Sequence, residues 1–246
     1  MIRGFYTAAT GMLVQRCRMD VITNNLVNAE TTAYKADSLV QGVFGDLVLR
    51  RMNGAGQETV GTISPGTRVN AIVTSFAQGN PEQTGRACDF ALNGNGFFVV
   101  STPDGDRYTR NGGFSVTSDG YLINADGFYV QGRNGRIHVG SGGFAVDQQG
   151  NITVNGTITD KFRIVRFADL NALTKEGGSL FSSPESPAAD TQTSVMQGYL
   201  ESSNVDISGE LTDMMAVTNM YSSNQQVLKM IDGTIDKAVN EVGRVF

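Results

Sequence analysis

The amino-acid sequence predicts an α+β fold in which helices at the two chain ends pair into a coiled-coil or bundle domain around an inserted all-β domain. Three observations support this prediction. The tail carries apolar residues at alternating steps of three and four. The middle of the chain alternates short apolar runs with Asn-Gly and Asp-Gly pairs that suit tight hairpins. The first segment has wider apolar coverage than one neighbouring helix would need.

The tail, Asp206–Phe246, is predicted to be a long helix. Its length favours a coiled coil or bundle over the alternative, a single core helix of an ordinary domain. Asp206 and Ser208 are candidate caps at its start. Asn224 is the polar residue within the stripe and suits a role in fixing register. The heptad-spaced positions are Met214, Val217, Tyr221, Asn224, Leu228, Ile231, Ile235, Ala238, Val242 and Val245.

The first segment, Met1–Glu30, also has a helical pattern. Gly4 and Gly11 lower its intrinsic stability by about 1 kcal/mol each, so an isolated copy would be weakly helical. The simplest partner is the tail helix, which brings the chain ends together. One stripe of this segment contains Ile2, Phe5, Ala9, Met12, Met19 and Leu26.

The predicted domain organisation has three parts. Residues 1–32 and 203–246 form a terminal helical domain, 33–78 an extended connector or β arm, and 79–202 an all-β domain. Within the arm, Thr67–Phe76 alternates like a strand, whereas Asn53–Gly66 is rich in Gly and Thr and is predicted to be a loop.

The all-β segment contains an internal echo. The stretch from Asn111 to Leu122 and the stretch from Ser141 to Ile152 both place Gly-Gly-Phe-x-Val before a turn glycine, which predicts two similar hairpins. Leu170–Ala189 is polar and predicted to be a surface loop. The predicted strands are Phe97–Ser101, Phe114–Thr117, Tyr121–Asn124, Phe128–Gln131, Ile137–Val139, Phe144–Asp147, Ile152–Val154 and Phe162–Phe167.

Composition and motifs argue against several classes of function. The net charge of −5 gives no reason to expect nucleic-acid binding. No apolar run has membrane-spanning length, and charged residues interrupt Met1–Asp20 where a signal peptide would need an apolar core. His138 has no second histidine for a metal site, and Gly94-Asn95-Gly96 lacks the third glycine of a dinucleotide loop. No catalytic, cofactor-binding or metal-ligating residues, no cofactor and no small-molecule substrate are therefore predicted.

The apolar coverage of the terminal helices instead predicts association. Met215, Met220, Val227 and Met230 lie beside the tail stripe and would stay uncovered in one antiparallel pair. The alternative is that a third element, such as Leu39–Leu49, covers that face. The predicted assembly interface comprises Ile2, Phe5, Ala9, Met12, Leu26, Met214, Val217, Tyr221, Asn224, Leu228, Ile231, Ile235, Ala238 and Val242.

Three motifs resemble bacterial flagellar rod and hook proteins. The N-terminal motif combines Tyr6-Thr-Ala-Ala-Thr-Gly-Met-Leu13 with Met19-Asp-Val-Ile-Thr-Asn-Asn-Leu-Val-Asn-Ala29 and Thr32-Ala-Tyr-Lys35. The middle motif combines Asp89-Phe-Ala-Leu-Asn-Gly-Asn-Gly-Phe-Phe-Val99 with Tyr108-Thr-Arg-Asn-Gly-Gly-Phe114. The C-terminal motif combines Gly198-Tyr-Leu-Glu-Ser-Ser-Asn-Val-Asp206 with Glu210-Leu-Thr-Asp-Met-Met215. Their order along nearly the whole chain makes the resemblance specific.

The resemblance implies a structural subunit that assembles helically with copies of itself and with other flagellar axial proteins of the rod and hook. It implies passage through the flagellar export apparatus without a cleaved signal peptide, and a place in the basal body outside the cytoplasmic membrane. The length and the Gly61–Gly79 stretch are most similar to the distal-rod type, with the proximal-rod type as alternative. Ala33 departs from the glycine of many relatives, and the Met-rich tail from their more polar stretch. From another functional class, an oligomerised β-domain binding module for a carbohydrate or host surface stays open.

Overall fold

The computed structural model describes residues 2–45, 47–53, 56–63, 66–140, 142–177 and 179–242. The chain divides into two compact units, which are described separately. The helical unit comprises Met1–Val27, Asp37–Val73 and Asp206–Phe246, and the β unit comprises Asn28–Ala36 and Thr74–Val205. The three-part division based on the sequence stays a prediction.

Both predicted terminal helices are present in the helical unit. Helix α1 spans Ile2–Val27 and helix α2 spans Ile207–Lys237, followed by a π-helical turn at Ala238–Val242. Asp206 caps α2, because its carboxylate accepts a hydrogen bond from the Ser208 N–H at 3.1 Å. Tail residues beyond 242, including Val245, lie outside the described residues, as do the side chains of Ile2 and Val242.

The arm of the helical unit is made of nested antiparallel strands. Strand β1 pairs with β4, and β2 pairs with β3 through a ladder with a bulge at Leu49/Arg50. The prediction of a strand within Thr67–Phe76 is confirmed, but the loop predicted for Asn53–Gly66 is wrong over most of its length. Its threonines and its Val60 suit a strand once a partner is available. The strands are β1 (Asp37–Val43), β2 (Leu47–Asn53), β3 (Gly56–Ile63) and β4 (Thr67–Thr74).

The β unit is built from short antiparallel strands in several sheets. The largest sheet has the order β17-β18-β8-β7-β11-β10-β9, with β16 also pairing with β7, and β13-β14-β15 form a separate sheet. The strands are β5 (Pro81–Gln83), β6 (Phe90–Asn93), β7 (Phe97–Thr102), β8 (Gly105–Thr109), β9 (Ser115–Val116), β10 (Leu122–Ile123), β11 (Tyr129–Gly132), β12 (Gly135–Arg136), β13 (Phe144–Val146), β14 (Asn151–Val154), β15 (Thr157–Lys161), β16 (Ile164–Arg166), β17 (Thr174–Glu176), β18 (Leu180–Ser182), β19 (Ala188–Ala189), β20 (Ser194–Gln197) and β21 (Tyr199–Glu201).

Strand β7 separates two apolar clusters, because its successive side chains point to opposite faces. Phe98 and Val100 lie in a larger cluster, and Phe97 and Val99 lie in a smaller one with Tyr108, Val165 and Phe181. The side chains of these four β7 residues, Phe97–Val100, are fully buried. A strand buried on both faces explains why Phe97–Val100 is an uninterrupted apolar run in the sequence.

The internal echo produces two equivalent hairpins, as predicted. In the first, Val116 pairs with Leu122, and in the second Val146 pairs with Ile152. The turns close alike: Gly120 N–H donates to the Thr117 carbonyl and Gly150 N–H donates to the Asp147 carbonyl, both at 2.9 Å. Both glycines have φ near +80°, a conformation that other residues rarely adopt.

Two predictions about the β unit are wrong. The polar stretch Leu170–Ala189, predicted to be a loop, contains β17, β18 and β19. Leu180 and Phe181 are buried there, and these two apolar residues suffice to anchor β18 beside β8. Ile137–Val139 forms an isolated bridge between His138 and Tyr121 instead of a strand, although Ile137 and Val139 are buried.

Candidate assembly interface

Helices α1 and α2 pack against each other in antiparallel orientation. Arg18 forms an ion pair with Asp213 at 3.2 Å, and the Asn25 side-chain amide donates to Glu210 Oε1 at 2.8 Å. As the residue number rises along α1, the contacting number falls along α2. The two terminal helices therefore contact each other over the described residues, and the coiled-coil or bundle domain predicted for them stays a prediction.

Burial along α2 follows the predicted stripe. Within Ile207–Lys237, the side chains that are not exposed recur at steps of three and four. This is the period expected when a helix packs along a single neighbour. Ala238, in the π-helical turn, is exposed and departs from the stripe. The buried or half-buried positions are Glu210, Met214, Val217, Tyr221, Asn224, Leu228, Ile231 and Ile235.

The face of α1 toward α2 is formed in part by its glycines. A Cβ placed on Gly4 would lie 3.4 Å from Ile231 Cδ1, and one on Gly11 would lie 3.1 Å from Asn224 Nδ2. These two positions and the Asn25–Glu210 hydrogen bond are separated by seven and then fourteen residues on both helices. Helix propensity alone predicts only that these glycines lower helix stability, and it gives no sign of their place at the contact.

Asn25 ties the end of α1 to the arm as well as to α2. This side chain is 1% exposed. Its Oδ1 accepts from the Asp37 N–H at 2.9 Å, and its Nδ2 donates to the Asp37 carbonyl and to Glu210, both at 2.8 Å. A buried amide with these partners is satisfied and directional, so it fixes where β1 begins beside the helix pair.

The predicted α1 interface residues are not among the fully buried side chains of α1. Phe5 is exposed, and Ala9, Met12 and Leu26 are half-buried. The α1 side chains buried against neighbours in this unit are instead Ala8, Val14, Ile22 and Asn25. The predicted α1 stripe therefore lies beside the positions that contact α2, and its role as an assembly interface stays a prediction.

Apolar side chains stay exposed on both helices. On α1, Tyr6 is 62% and Leu13 is 61% exposed, and Phe5 stacks edge-on against Tyr6 at 6.3 Å between ring centroids. On α2, two groups flank the buried stripe: one has steps of four residues and the other steps of seven and three. The first group is Ile207, Leu211 and Met215, and the second is Met220, Val227 and Met230.

The N-terminal and C-terminal motifs also meet inside the β unit. Lys35 Nζ donates to Glu201 Oε1 at 2.5 Å and to the Ala77 carbonyl at 2.9 Å. The same carboxylate oxygen accepts from the Gly79 N–H at 2.9 Å. Arg110 Nη1 lies 3.6 Å from Glu201 Oε2, and its guanidinium lies over the Phe97 ring at 4.9 Å. This buried cluster could not be predicted from the sequence, because charged side chains are expected at the surface.

Burial shifts the pKa of the two cationic side chains of this cluster. It lowers the pKa of Lys35, and the attraction of the Glu201 carboxylate opposes that shift. Burial likewise lowers the pKa of Arg110, again opposed by Glu201. Asn204, three residues beyond Glu201, accepts from the Ala36 N–H at 2.8 Å and donates to the Ser75 and Ala77 carbonyls. The two motifs are therefore joined by one buried ion pair and one amide.

Other side chains singled out by the sequence have structural surroundings. His138 Nε2 lies 3.0 Å from the Asp119 carbonyl oxygen, and the His138 ring packs against the Tyr121 ring. Cys17 and Cys88 are free thiols. Within the described ranges, His, Cys, Asp and Glu side chains do not gather in threes as a metal site would require. Neither helix, over its described residues, combines the length and apolar content needed to cross a membrane.

Comparison with known proteins identifies the family. Residues 5–35 match the family described as "Flagella basal body rod protein", 91–159 match "Flagellar hook protein FlgE/F/G D1 domain", and 196–241 match "Flagellar basal body rod FlgEFG protein C-terminal". The first and third matched ranges contain the N-terminal and C-terminal motifs quoted above, and the second range covers the middle motif except for Asp89 and Phe90.

Full-length relatives agree with these matches. The flagellar basal-body rod protein FlgG of Bacillus subtilis strain 168 is 30% identical over 98% of this chain and 99% of its own. FlgG of Buchnera aphidicola subsp. Baizongia pistaciae is 32% identical over 96% and 98%. FlgF of Caulobacter vibrioides is 29% identical over 100% of both chains. The chain therefore belongs to the flagellar rod and hook protein family, as a structural rod subunit and not an enzyme.

Proposed function

We propose that this chain is a distal-rod subunit that assembles helically through its paired terminal helices and transmits torque passively toward the hook. Its partners are copies of itself and the other axial proteins. The chain passes through the flagellar export apparatus to reach them. The α1 and α2 pair acts as a coiled-coil-like core, and the predicted interface from Ile2 and Phe5 to Val242 contributes to it.

The exposed apolar flanks of the helix pair carry this proposal. Within the described residues, the α2 stripe packs on α1 of the same chain, so the flanks are the surfaces left for other copies. Met215 is 62% and Met230 is 64% exposed, on opposite sides of that stripe. Apolar faces on both sides of a helix pair suit a subunit with neighbours on both sides.

Replacing Met215 and Met230 by Gln tests the proposal. We expect the urea unfolding midpoint to stay unchanged, because both side chains are exposed in the single chain. Burying a methionine between copies contributes about 1.5–3 kcal/mol, so the concentration needed for assembly should rise at least tenfold. Sedimentation and negative-stain electron microscopy measure it. The matched control replaces Gln225 and Gln226, exposed polar residues of the same helix, by Ala. Equal assembly of the Met variant and the wild type would contradict the proposal.

Relatives named FlgG and FlgF both cover nearly the whole chain. The length of the chain and the Gly61–Gly79 stretch support the distal position over the proximal position. An epitope inserted between Asn155 and Gly156, in an exposed hairpin turn, distinguishes them. Immunogold labelling of isolated hook–basal bodies should place a distal subunit next to the hook. Label at the opposite end of the rod would favour the proximal type.

We also propose that the chain reaches the basal body, outside the cytoplasmic membrane, without cleavage of a signal peptide. Charged side chains within α1, such as Arg16 and Asp20, support this, since a signal peptide needs an uninterrupted apolar segment. The mass of the subunit released from isolated basal bodies should equal that of the full 26.3 kDa chain. A shorter chain lacking its first residues would overturn the proposal.

A further inference from the structure

A cavity of about 430 Å³ opens on the β unit and is rimmed by positive charge. Its lining includes Arg133 in the β11–β12 turn, Lys161 at the end of β15, and Arg163 just before β16. Ile164, Ala189 and Thr191 supply uncharged surface to the same cavity. A cationic rim is unusual on a chain whose net charge is −5.

Backbone pairing places these cations side by side. Gly132 and Phe162 form an antiparallel bridge, the Arg133 N–H donates to the Lys161 carbonyl at 2.8 Å, and the Arg163 N–H donates to the Gln131 carbonyl at 3.1 Å. Arg133 and Lys161 are therefore directly opposite each other on one face. Like charges in this cross-strand position are destabilising, and an anion between them would remove the repulsion.

The acidic groups nearby have other hydrogen-bond partners. Asp147 accepts from the N–H and side-chain amide of Asn151, although its charge also acts on Lys161. Asp106 pairs with Arg163 at 2.9 Å. Asp160 Oδ1 accepts from the Lys161 and Asn134 N–H groups. Asp190, in the lining itself, accepts from the Thr193 hydroxyl and from the Gln192 N–H. Within the described residues, Arg133 and Lys161 have no carboxylate within 4.0 Å.

We propose that this cavity docks an acidic, extended peptide segment of a neighbouring axial subunit. Carboxylates of the segment bind between Arg133 and Lys161, and an adjacent apolar side chain rests on Ile164 and Ala189. Charge complementarity selects the occupant: an acidic segment is repelled by the chain as a whole and attracted at this point. Only the identity of the partner rests on the proposed rod function.

Titration of the full-length chain with a capped tetrapeptide of alternating leucine and glutamate tests the site, followed by backbone NMR shifts. We expect saturable shifts centred on Arg133, Lys161 and Thr191, and at least tenfold weaker binding of the leucine–glutamine counterpart. The double variant Arg133→Gln, Lys161→Gln should also bind at least tenfold more weakly. The control Arg136→Gln removes an exposed cation that stacks on Tyr129 at 4.3 Å outside the cavity, and it should bind like the wild type.

Four outcomes would overturn the site: no saturable shift, equal binding of the glutamine peptide, equal loss in the Arg136 control, or inorganic phosphate that binds as tightly as the peptide. A complementation assay then addresses the partner. If the double variant loses peptide binding but assembles rods and swims normally, the partner assignment fails and the rod function stands. If the wild-type chain itself forms no rods, the rod function fails whatever the peptide does.

Discussion

The Lys35 ammonium donates to the Glu201 carboxylate at 2.5 Å, and neither side chain is more than 1% exposed. The two residues are 166 positions apart in the sequence. Each belongs to a terminal motif that resembles the rod and hook family, so the pair explains physically why both motifs occur in one chain. Breaking one partner of a buried pair leaves a charge without compensation, which is far more costly than the pair is stabilising.

The cluster predicts an order of destabilisation. Glu201→Gln removes the anion paired with both Lys35 and Arg110 and leaves Arg110 only the weaker influence of Asp190, whereas Lys35→Met leaves Glu201 with Arg110 at 3.6 Å. We expect Lys35→Met to cost about 3–5 kcal/mol, as for other buried pairs, and Glu201→Gln to cost more. Urea unfolding measures both. As control, Glu176→Gln removes the partially exposed Arg107–Glu176 pair and should hardly move the midpoint. The opposite order for the two buried variants would contradict this account.

Replacing Ala33 by glycine should not lower the stability of the chain. Its φ is +56°, although the side chain is 1% exposed and the N–H donates to the Glu201 carbonyl oxygen at 2.8 Å. The left-handed conformation costs a residue with a Cβ about 1–2 kcal/mol, which offsets the lost methyl burial of about 0.8 kcal/mol. Ala33→Gly should therefore be neutral or slightly stabilising by thermal unfolding. Ala91→Gly, equally buried but in β6, should be destabilising by about 1 kcal/mol. Equal losses at both positions would show that Ala33 is unstrained.

Replacing Gly11 or Gly233 by alanine should have different effects on the stability of the chain. A Cβ at Gly233 has no atom within 4 Å, whereas one at Gly11 lies 3.1 Å from Asn224 Nδ2. Gly233→Ala should stabilise the chain by about 0.8–1 kcal/mol through helix propensity. Gly11→Ala should gain less than this or lose stability, since Asn224 has to move. Chemical unfolding at a concentration where the chain is monomeric compares them. A gain of the same size at both sites would show that α2 does not press on Gly11.

Asp190 should make the β unit sensitive to acid. Burial alone would raise its pKa, but hydrogen bonds from the Thr193 hydroxyl and from the N–H groups of Gln192 and Thr193 outweigh burial and hold the pKa below its usual range. A depressed folded pKa means that the contribution is complete above the ordinary aspartate value, about 3.9, and disappears as the pH falls through the lower, folded value.

The variant Asp190→Asn checks this sign. We expect it to be less stable than the wild type at neutral pH, with a difference that shrinks as the pH falls below about 4. Urea unfolding between pH 3 and pH 7 measures the difference. The exposed Asp126→Asn change serves as control. A difference that stayed constant over this range, or grew toward low pH, would show that the Asp190 carboxylate is not held ionised by its hydrogen bonds.

Elements with a local signal could be predicted from the amino-acid sequence. Steps of three and four located α2 and its buried stripe from Met214 to Ile235, because one helix face repeats with the helix period. The echo between residues 111–122 and 141–152 located two hairpins, because turn glycines and alternating apolar residues act over a few positions. The terminal motifs identified the family.

Which groups far apart in the sequence come into contact depends on the tertiary structure. A charged residue considered singly is expected at the surface, as Lys35, Arg110 and Glu201 would be. The fold brings the three together, and their mutual attraction offsets the free-energy cost of burying each charge. The contact of Gly11 with Asn224, and the side-by-side placement of Arg133 and Lys161, likewise depend on helix orientation and strand register. Neither is encoded in local periodicity, because a pattern along one segment does not specify which face meets which partner.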